Sequence, residues 1–369
     1  HFAIRRQRQM CIRDSYSTMY SNIKEHNSGK SLSFDINGLN ASIVNGLRRT
    51  ILNDIVNLGF RYESGEKSIK VNKNTTGLHD EFISHRLSLL PVTVDNWLQK
   101  PGEVDIDDYT FSLNVSQKSQ HKKNGIVTTD DIVVKSNNNG NITEIDSKKC
   151  FYRNKKFNSP ILITRFPNRD GSEQELDVEF TLTKGTHSNH ACYSPTVYCV
   201  SFEKEENKTN EMIHEFKLES IGIWSPYKLV QQGILNLIYK CKNICNKIED
   251  NIAYKYKGSY MAIDYRFDGE SHTIGNIIQE WIYNSEFVEK KVNGKNLSHI
   301  SYHEPHPLEN HIIIRFVLNE DNAPMDFEDY KEKTDELFIK YIKELEEHLM
   351  ECLLQWKNIT KSDSKHSLL

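Results

Sequence analysis

At 369 residues, with 37% hydrophobic and 27% charged side chains, the chain is long enough to bury a large core in two or three domains. A net charge of -4 gives no support to a protein whose main task is coating DNA. The 7 cysteines are dispersed rather than paired, which fits a reducing compartment, and no apolar run approaches the ~18 residues of a membrane span. The expected class is a soluble intracellular protein.

Residues 1–18 are dense in arginine and nearly free of acid. They read as a non-native or leader segment, either translated adapter sequence or a transit peptide, with Met19 as the start. Ser31–Ile36 alternates as a half-buried strand does. Asn40–Leu58 reads as a helix with Val44, Leu47, Ile51, Ile55 and Leu58 on one stripe. Ile69 and Val71 suggest a strand, and Leu78–Leu89 a shorter helix stopped by Pro91. Between Asp95 and Asn210, β-like runs (Tyr109–Val115, Ile132–Lys135, Ile161–Thr164, Val178–Thr183, Thr196–Phe202) alternate with polar loops such as Ser136–Asn141.

A strand at Ile213–Ile221 precedes Ser225-Pro226, a cap followed by proline at the first helical position. The helix it starts carries Val230, Ile234, Leu237, Cys241, Ile244 and Ile248 on one face. A strand at Tyr260–Phe267 leads to a helix with Ile274, Ile277, Ile278, Trp281 and Ile282 in an i, i+3, i+4, i+7, i+8 pattern. After a strand at Ile312–Val317, a long helix aligns Phe338, Tyr341, Leu345, Leu349, Cys352 and Trp356.

One pattern occurs twice. Phe34-Asp35, a turn and a helix bearing Asn45-Gly46 are echoed by Phe267-Asp268, a turn and a helix bearing Gly275-Asn276. The expected fold is α+β: two half-modules, each an antiparallel sheet with helices, packed helix to helix in one chain with an inserted β-rich domain. The expected boundaries are 29–92 with 212–252 for the first half-module, 93–211 for the insertion, 256–358 for the second half-module and 359–369 for a flexible tail. The expected interface uses Val44, Ile51, Ile55, Ile234, Leu237, Ile274, Ile277, Ile278, Trp281, Leu345 and Leu349.

The first half resembles the α-type assembly subunit of cellular RNA polymerases: bacterial α, its archaeal D-type counterpart and the third-largest subunit of eukaryotic polymerase II. The segments that carry the likeness are Asn45-Gly46-Leu47-Arg48-Arg49-Thr50, Leu78–Pro91 (with Asp80-Glu81 and His85-Arg86-Leu87), Ala191-Cys192-Tyr193-Ser194-Pro195 and Phe216–Gly222. The second half is similar to the smaller, archaeal L-type partner through His272-Thr273-Ile274-Gly275-Asn276 and His306-Pro307-Leu308-Glu309. Fusion of two such partners, in a sequence rich in Lys, Asn and Ile, points to a large DNA virus.

The resemblance implies a non-catalytic subunit that nucleates assembly of a DNA-dependent RNA polymerase. It implies docking through Asn45, Leu47, Arg48, Arg49, Glu81, His85 and Arg86 on the largest and second-largest subunits, and contact with a small zinc-bearing subunit. DNA is reached only through the complex. The expected place of work is the virion and host cytoplasm for a viral source, otherwise the nucleus or cytoplasm with the polymerase.

The bland readings compete. Arg48 and Arg49 could be a solvated helix edge. His79, Asp80, Glu81 and His85 lack the zincin spacing, so a helix packing Phe82, Ile83 and Leu87 inward is expected there. His187, His190, Cys192 and Cys199 are zinc-competent but lack the tight cysteine clusters of relatives that bind metal, so no cofactor is expected. Cys241 and Cys245 read as core packing, and Glu344, Glu346 and Glu347 as a solvated face. There is no phosphate-binding glycine loop and no Asp-x-Asp cluster for a polymerase magnesium. A nucleic-acid-binding regulator and a metal-dependent hydrolase are the alternatives from other classes.

Overall fold

The computed structural model describes residues 19–362 apart from 63–67, 95–96, 98–104, 121–124, 139, 155, 167–172, 205–211, 251, 259, 289–295 and 307. The leader reading of 1–18 therefore lies outside the described residues. The chain opens with β1 (Tyr20–His26) and β2 (Ser31–Asn37), then α1 (Ala41–Asn53) and the short β3 (Asn57–Gly59). Next come β4 (Ile69–Asn74), α2 (Asp80–Ser88), β5 (Tyr109–Ser116), β6 (Ile126–Thr128), β7 (Val133–Asn138) and β8 (Asn141–Ile145). They are followed by β9 (Leu162–Arg165), β10 (Glu175–Thr181), β11 (Thr183–Gly185), β12 (Thr196–Lys204) and β13 (Ile213–Ser220). After α3 (Pro226–Glu249) the chain runs β14 (Ala253–Lys255), β15 (Ile263–Asp268), α4 (His272–Tyr283), β16 (Leu297–His303), β17 (His311–Leu318) and α5 (Phe327–Ser362).

Two four-stranded antiparallel sheets have the same plan. The first is ordered β1-β2-β13-β12 and the second β14-β15-β17-β16. Leaving out the segment between α1 and β12, the connection is strand, strand, helix, strand, strand, helix in both. The register agrees as well: Phe34 faces Phe216 in the first sheet, and Tyr265 faces Ile314 in the second. The turns match through glycines in the left-handed region, Gly38 at φ 71 and Gly269 at φ 79, each shortly before its helix. Gly38 to Gly269 and Ala41 to His272 are equal separations, so the position equivalent to Phe267 is Ile36. The likeness is thus shifted by two residues from the Phe-Asp alignment that the sequence suggests.

Both sheets turn their apolar side chains onto one continuous core. The helix stripes meet there. Val44, Leu47 and Ile51 of α1, Ile234 and Leu237 of α3, Ile274, Ile277 and Ile278 of α4, and Leu345 and Leu349 of α5 are all buried. Trp356 of α5 crosses onto the first sheet, its ring centroid 4.8 Å from Phe34 and 5.0 Å from Tyr20. Its indole N–H donates to the Tyr227 carbonyl at 3.0 Å. At the crossing of α1 and α4, a Cβ on Gly46 would overlap Ile277, so the missing side chain is what lets the helices approach.

Several expectations need correction. Helix α1 stops at Asn53, where Asp54 at φ -112 and ψ -1 is its C-cap; Ile55 and Leu58 are buried beyond it, Leu58 in β3. Trp281 is only half-buried, its ring tilted against His348 with centroids 5.2 Å apart, while Ile282 is fully buried. Ser136–Asn141 is not a plain loop but the tip of the β7–β8 hairpin. Strands β1, β14 and β16 have no counterpart among the expected elements. Residues 359–362 continue α5 rather than starting a tail.

The domain division also differs. A second core gathers Leu58, Phe60, Ile69, Ile83, Leu87, Leu90 and Val92 with Phe111, Leu113, Val134, Val178 and Phe180. Its five-stranded sheet is ordered β4-β10-β5-β7-β8. Hence β4 and α2, expected in the first half-module, pack in the inserted domain. Strand β12, expected in the insertion, pairs with β13 in the first sheet.

Burial pushes the thiols of Cys199, Cys241 and Cys352 up to about 12. The folded chain therefore keeps protons that the unfolded chain releases above about 8.5, so this contribution is intact below that pH and is lost as pH rises toward 12. The melting temperature should hold constant from about pH 7 to 8 and fall above about pH 9. A flat profile to pH 11, or rapid alkylation of these cysteines in the folded chain, would contradict the burial.

Gly46→Val should lower unfolding free energy by about 1–3 kcal/mol through overpacking. Ile277→Ala in the same chain should recover part of that loss in a urea-melt double-mutant cycle. Strict additivity would show that α1 and α4 do not meet there.

Candidate functional site

Helix α1 is held at its start by Asn40. Its Oδ1 accepts from Ser42 N at 3.2 Å, and its Nδ2 donates to Glu280 Oε1 at 3.3 Å across the seam. A carboxylate beside a helix N-terminus is favourable because the first N–H groups carry partial positive charge. With Val44, Leu47 and Ile51 turned into the core, the opposite edge carries exposed Asn45 and half-buried Arg48. The Arg48 Nε and Nη2 both donate to Asn45 Oδ1, at 3.0 and 2.8 Å, which lays the guanidinium along the helix surface. This edge lies beside β12, where the Arg48 charge pulls down on the buried Cys199 thiol that burial pushes up. Strand β12 ends the first sheet and exposes Val197, Tyr198 and Phe202.

Arg49 does something else. Its Nε donates to Thr273 Oγ1 of α4 at 2.7 Å, tying the first helix to the second half. Leu47 is buried and belongs to the core, because it continues the stripe of Val44 and Ile51. Of the four α1 residues expected to dock a partner, Asn45 and Arg48 are presented, Arg49 bridges within the chain and Leu47 packs inside.

Glu81, His85 and Arg86 project from α2 on the inserted domain, over the buried Ile83 and Leu87. Arg86 Nη2 donates to the Leu162 carbonyl at 3.1 Å, and Asn74 Nδ2 donates to Asp80 Oδ1 at 2.8 Å. Phe82, expected inward, is 60% exposed, since Ile83 and Leu87 already define the buried stripe. With Leu89 at 54% exposure it adds an apolar component that the sequence does not assign to a surface. The α1 and α2 segments pack in different cores.

Across the seam lies a polar clamp that the sequence does not reveal. Lys240 Nζ of α3 lies 3.1 Å from Asp54 Oδ2 and 3.4 Å from Glu270 Oε2. Burial works to lower the Lys240 pKa, but the two carboxylates outweigh it and hold the ammonium above its ordinary value. The signal is non-local: Asp54 ends α1, Lys240 lies within α3 and Glu270 sits in the turn before α4.

Among the described residues, no group of three or more His, Cys, Asp or Glu side chains is gathered as a metal would need. His190 Nδ1 accepts from Cys192 N at 3.1 Å, and Cys199 is buried in β12. No described helix is long and apolar enough to cross a membrane.

No protein-family model matches the chain. Curated relatives exist at low identity. The DNA-directed RNA polymerase subunit Rpo3 of Methanothermobacter thermautotrophicus is 25% identical over 170 residues, 45% of this chain and 55% of that protein. The DNA-directed RNA polymerase II subunit RPB3 of Schizosaccharomyces pombe is 26% identical over 215 residues, 54% of this chain and 65% of that protein. The DNA-directed RNA polymerases I and III subunit RPAC1 of Bos taurus is 31% identical over 96 residues, 24% of this chain and 26% of that protein. The chain thus spans less than two thirds of each of these relatives, and its homologues are DNA-directed RNA polymerase subunits of the Rpo3, RPB3 and RPAC1 types.

Proposed function

We propose that this chain is a non-catalytic assembly subunit of a multisubunit DNA-dependent RNA polymerase, with a D-like and an L-like partner joined in one polypeptide. The observation that carries the reading is one sheet-and-helix plan occurring twice around a single core. The identity of the relatives supports it from an independent direction. A pair of separate subunits must meet in solution, whereas joined halves meet at effective concentrations on the order of millimolar. Helix α3 ends at Glu249 and β14 begins at Ala253, a connection shorter than the sequence suggests because β14 takes up part of it.

The two halves offer unlike surfaces, which suits an enzyme built on two unlike large subunits. On the first half, Asn45 and Arg48 beside the exposed edge of β12 form the face for the second-largest subunit. Arg48 is suited to it because a guanidinium makes forked bonds to carboxylates or carbonyls. Glu81, His85 and Arg86, with Phe82, form a second face on the inserted domain. The second half receives the largest subunit, and a small zinc-bearing subunit joins the assembly. DNA is met only through the complex, and the polymerase active site lies on other chains. Fusion of the two partners points to a large DNA virus, with the virion and host cytoplasm as the place of work.

Replacing Arg48 and Arg49 singly should separate docking from folding. Arg48→Glu should leave the melting temperature within about 2 °C, a surface-substitution effect, yet lose the second-largest subunit from a tagged purification. Arg49→Ala should cost about 1 kcal/mol of stability through the lost bond to Thr273. Retention of every large subunit by Arg48→Glu would remove α1 from the docking face.

A further inference from the structure

Helix α3 has a second stripe that the core does not use. Gln232, Asn236, Tyr239 and Asn243 follow one another at helical spacing along a cleft of about 370 Å³. It is lined by the end of α1, with Asp54 and the 40%-exposed Val56, and by Glu270 from the second half, which meets Asp54 at the Lys240 ammonium. The cleft is therefore built by both halves, and the Lys240 clamp lies within it. The stripe consists of three carboxamides and one tyrosine, with Tyr239 64% exposed. The one charged member of this face, Lys240, is held by Asp54 and Glu270, and what is left for a partner is carboxamide and tyrosine, a composition closer to a protein interface than to a solvated face.

We infer that this seam cleft receives an extended peptide segment of another polymerase subunit, one bearing a lysine or arginine at the Asp54–Glu270 end. The inference rests on the polymerase reading above. Three observations select the occupant. Each carboxamide offers both a donor and an acceptor, which matches the free N–H and C=O groups of an extended backbone; a helix has already spent its own. Gln232 Nε2 donates to Asn236 Oδ1 at 3.0 Å and Asn236 Nδ2 to the Asp54 carbonyl at 3.0 Å, which fixes both carboxamides and leaves each a second N–H and a second lone pair for the peptide. Two carboxylates face one ammonium in the cleft, and the surplus negative charge favours a cationic side chain and repels phosphate. Val56 and Tyr239 supply apolar area for a neighbouring side chain.

Because both halves form the cleft, its occupant binds the paired state and not the separated one. Binding therefore stabilises pairing by mass action. The segment acts as a clasp that closes only on a correctly paired platform.

The test uses polymerase purified through a tag on this chain carrying Tyr239→p-benzoylphenylalanine. Irradiation should give one covalent product with a single polymerase subunit, joined within a segment containing a lysine or arginine. Adding Asn243→Arg, which places a cation against that segment, should reduce the product at least about tenfold. The isolated Asn243→Arg chain should keep its melting temperature, which separates lost docking from lost folding. Overturning results are a complex that forms without the product, a product with nucleic acid or a second copy of the chain, or a yield that Asn243→Arg leaves unchanged. If no polymerase subunit co-purifies at all, the polymerase reading fails and the clasp fails with it.

Discussion

The close crossing of α1 and α4 at Gly46 is the constraint on which the shared core of the two sheets depends. A side chain at Gly46 would collide with Ile277, and one at Gly233 would collide with Ile51 and Leu47, so α1 fits between α3 and α4 only because two glycines stand at the contacts. Glycine in a helix interior costs about 1 kcal/mol relative to alanine. That cost is offset where it lets three apolar stripes share one interior instead of leaving each sheet with its own thin layer. Helix α5 joins the same interior along α3, where the Trp356 indole N–H donates to the Tyr227 carbonyl and its ring packs over Tyr20 and Phe34.

Within that frame the halves are alike in backbone and unlike in chemistry. Arg49 and Glu280 occupy the same position in α1 and α4 and carry opposite charges. Arg49 reaches Thr273 at the start of α4, while Glu280 accepts from Asn40 at the start of α1. Each cross-seam bond is thus made by a different residue type in the two halves, so the seam is not symmetric in its chemistry. The same inequality leaves exposed Asn45 and half-buried Arg48 on one side, with no counterpart of that charge on the other.

Much of this is legible from periodicity. The stripes of α3, α4 and α5 stand out at a 3.6-residue period because each helix buries one face only. What escapes is non-local or weakly patterned. Strands β1 and β16, at sheet edges, mix charged, polar and apolar residues, so they read as loop. Strand β12 looks like part of the insertion because nothing local says that its partner is β13. Phe82 misleads because hydrophobic is taken to mean inward, although Ile83 and Leu87 already fill the buried face of a short helix. The α1 and α2 segments are readable as motifs, but their division between two cores is not. Periodicity puts Leu47 on the apolar stripe, where it is buried, although the resemblance implies docking there, and nothing local tells that Arg49 is held by a cross-seam hydroxyl. The Lys240 clamp gives no local signal, since its three members come from three separate stretches of chain.

The central claim is that one polypeptide supplies both members of the assembly pair. Native mass spectrometry of polymerase purified through a tag on this chain tests it most directly. The account predicts one copy of the chain with one copy of each large subunit and no separate L-type partner. Two copies of the chain, or one copy accompanied by a free-standing small partner, would contradict it.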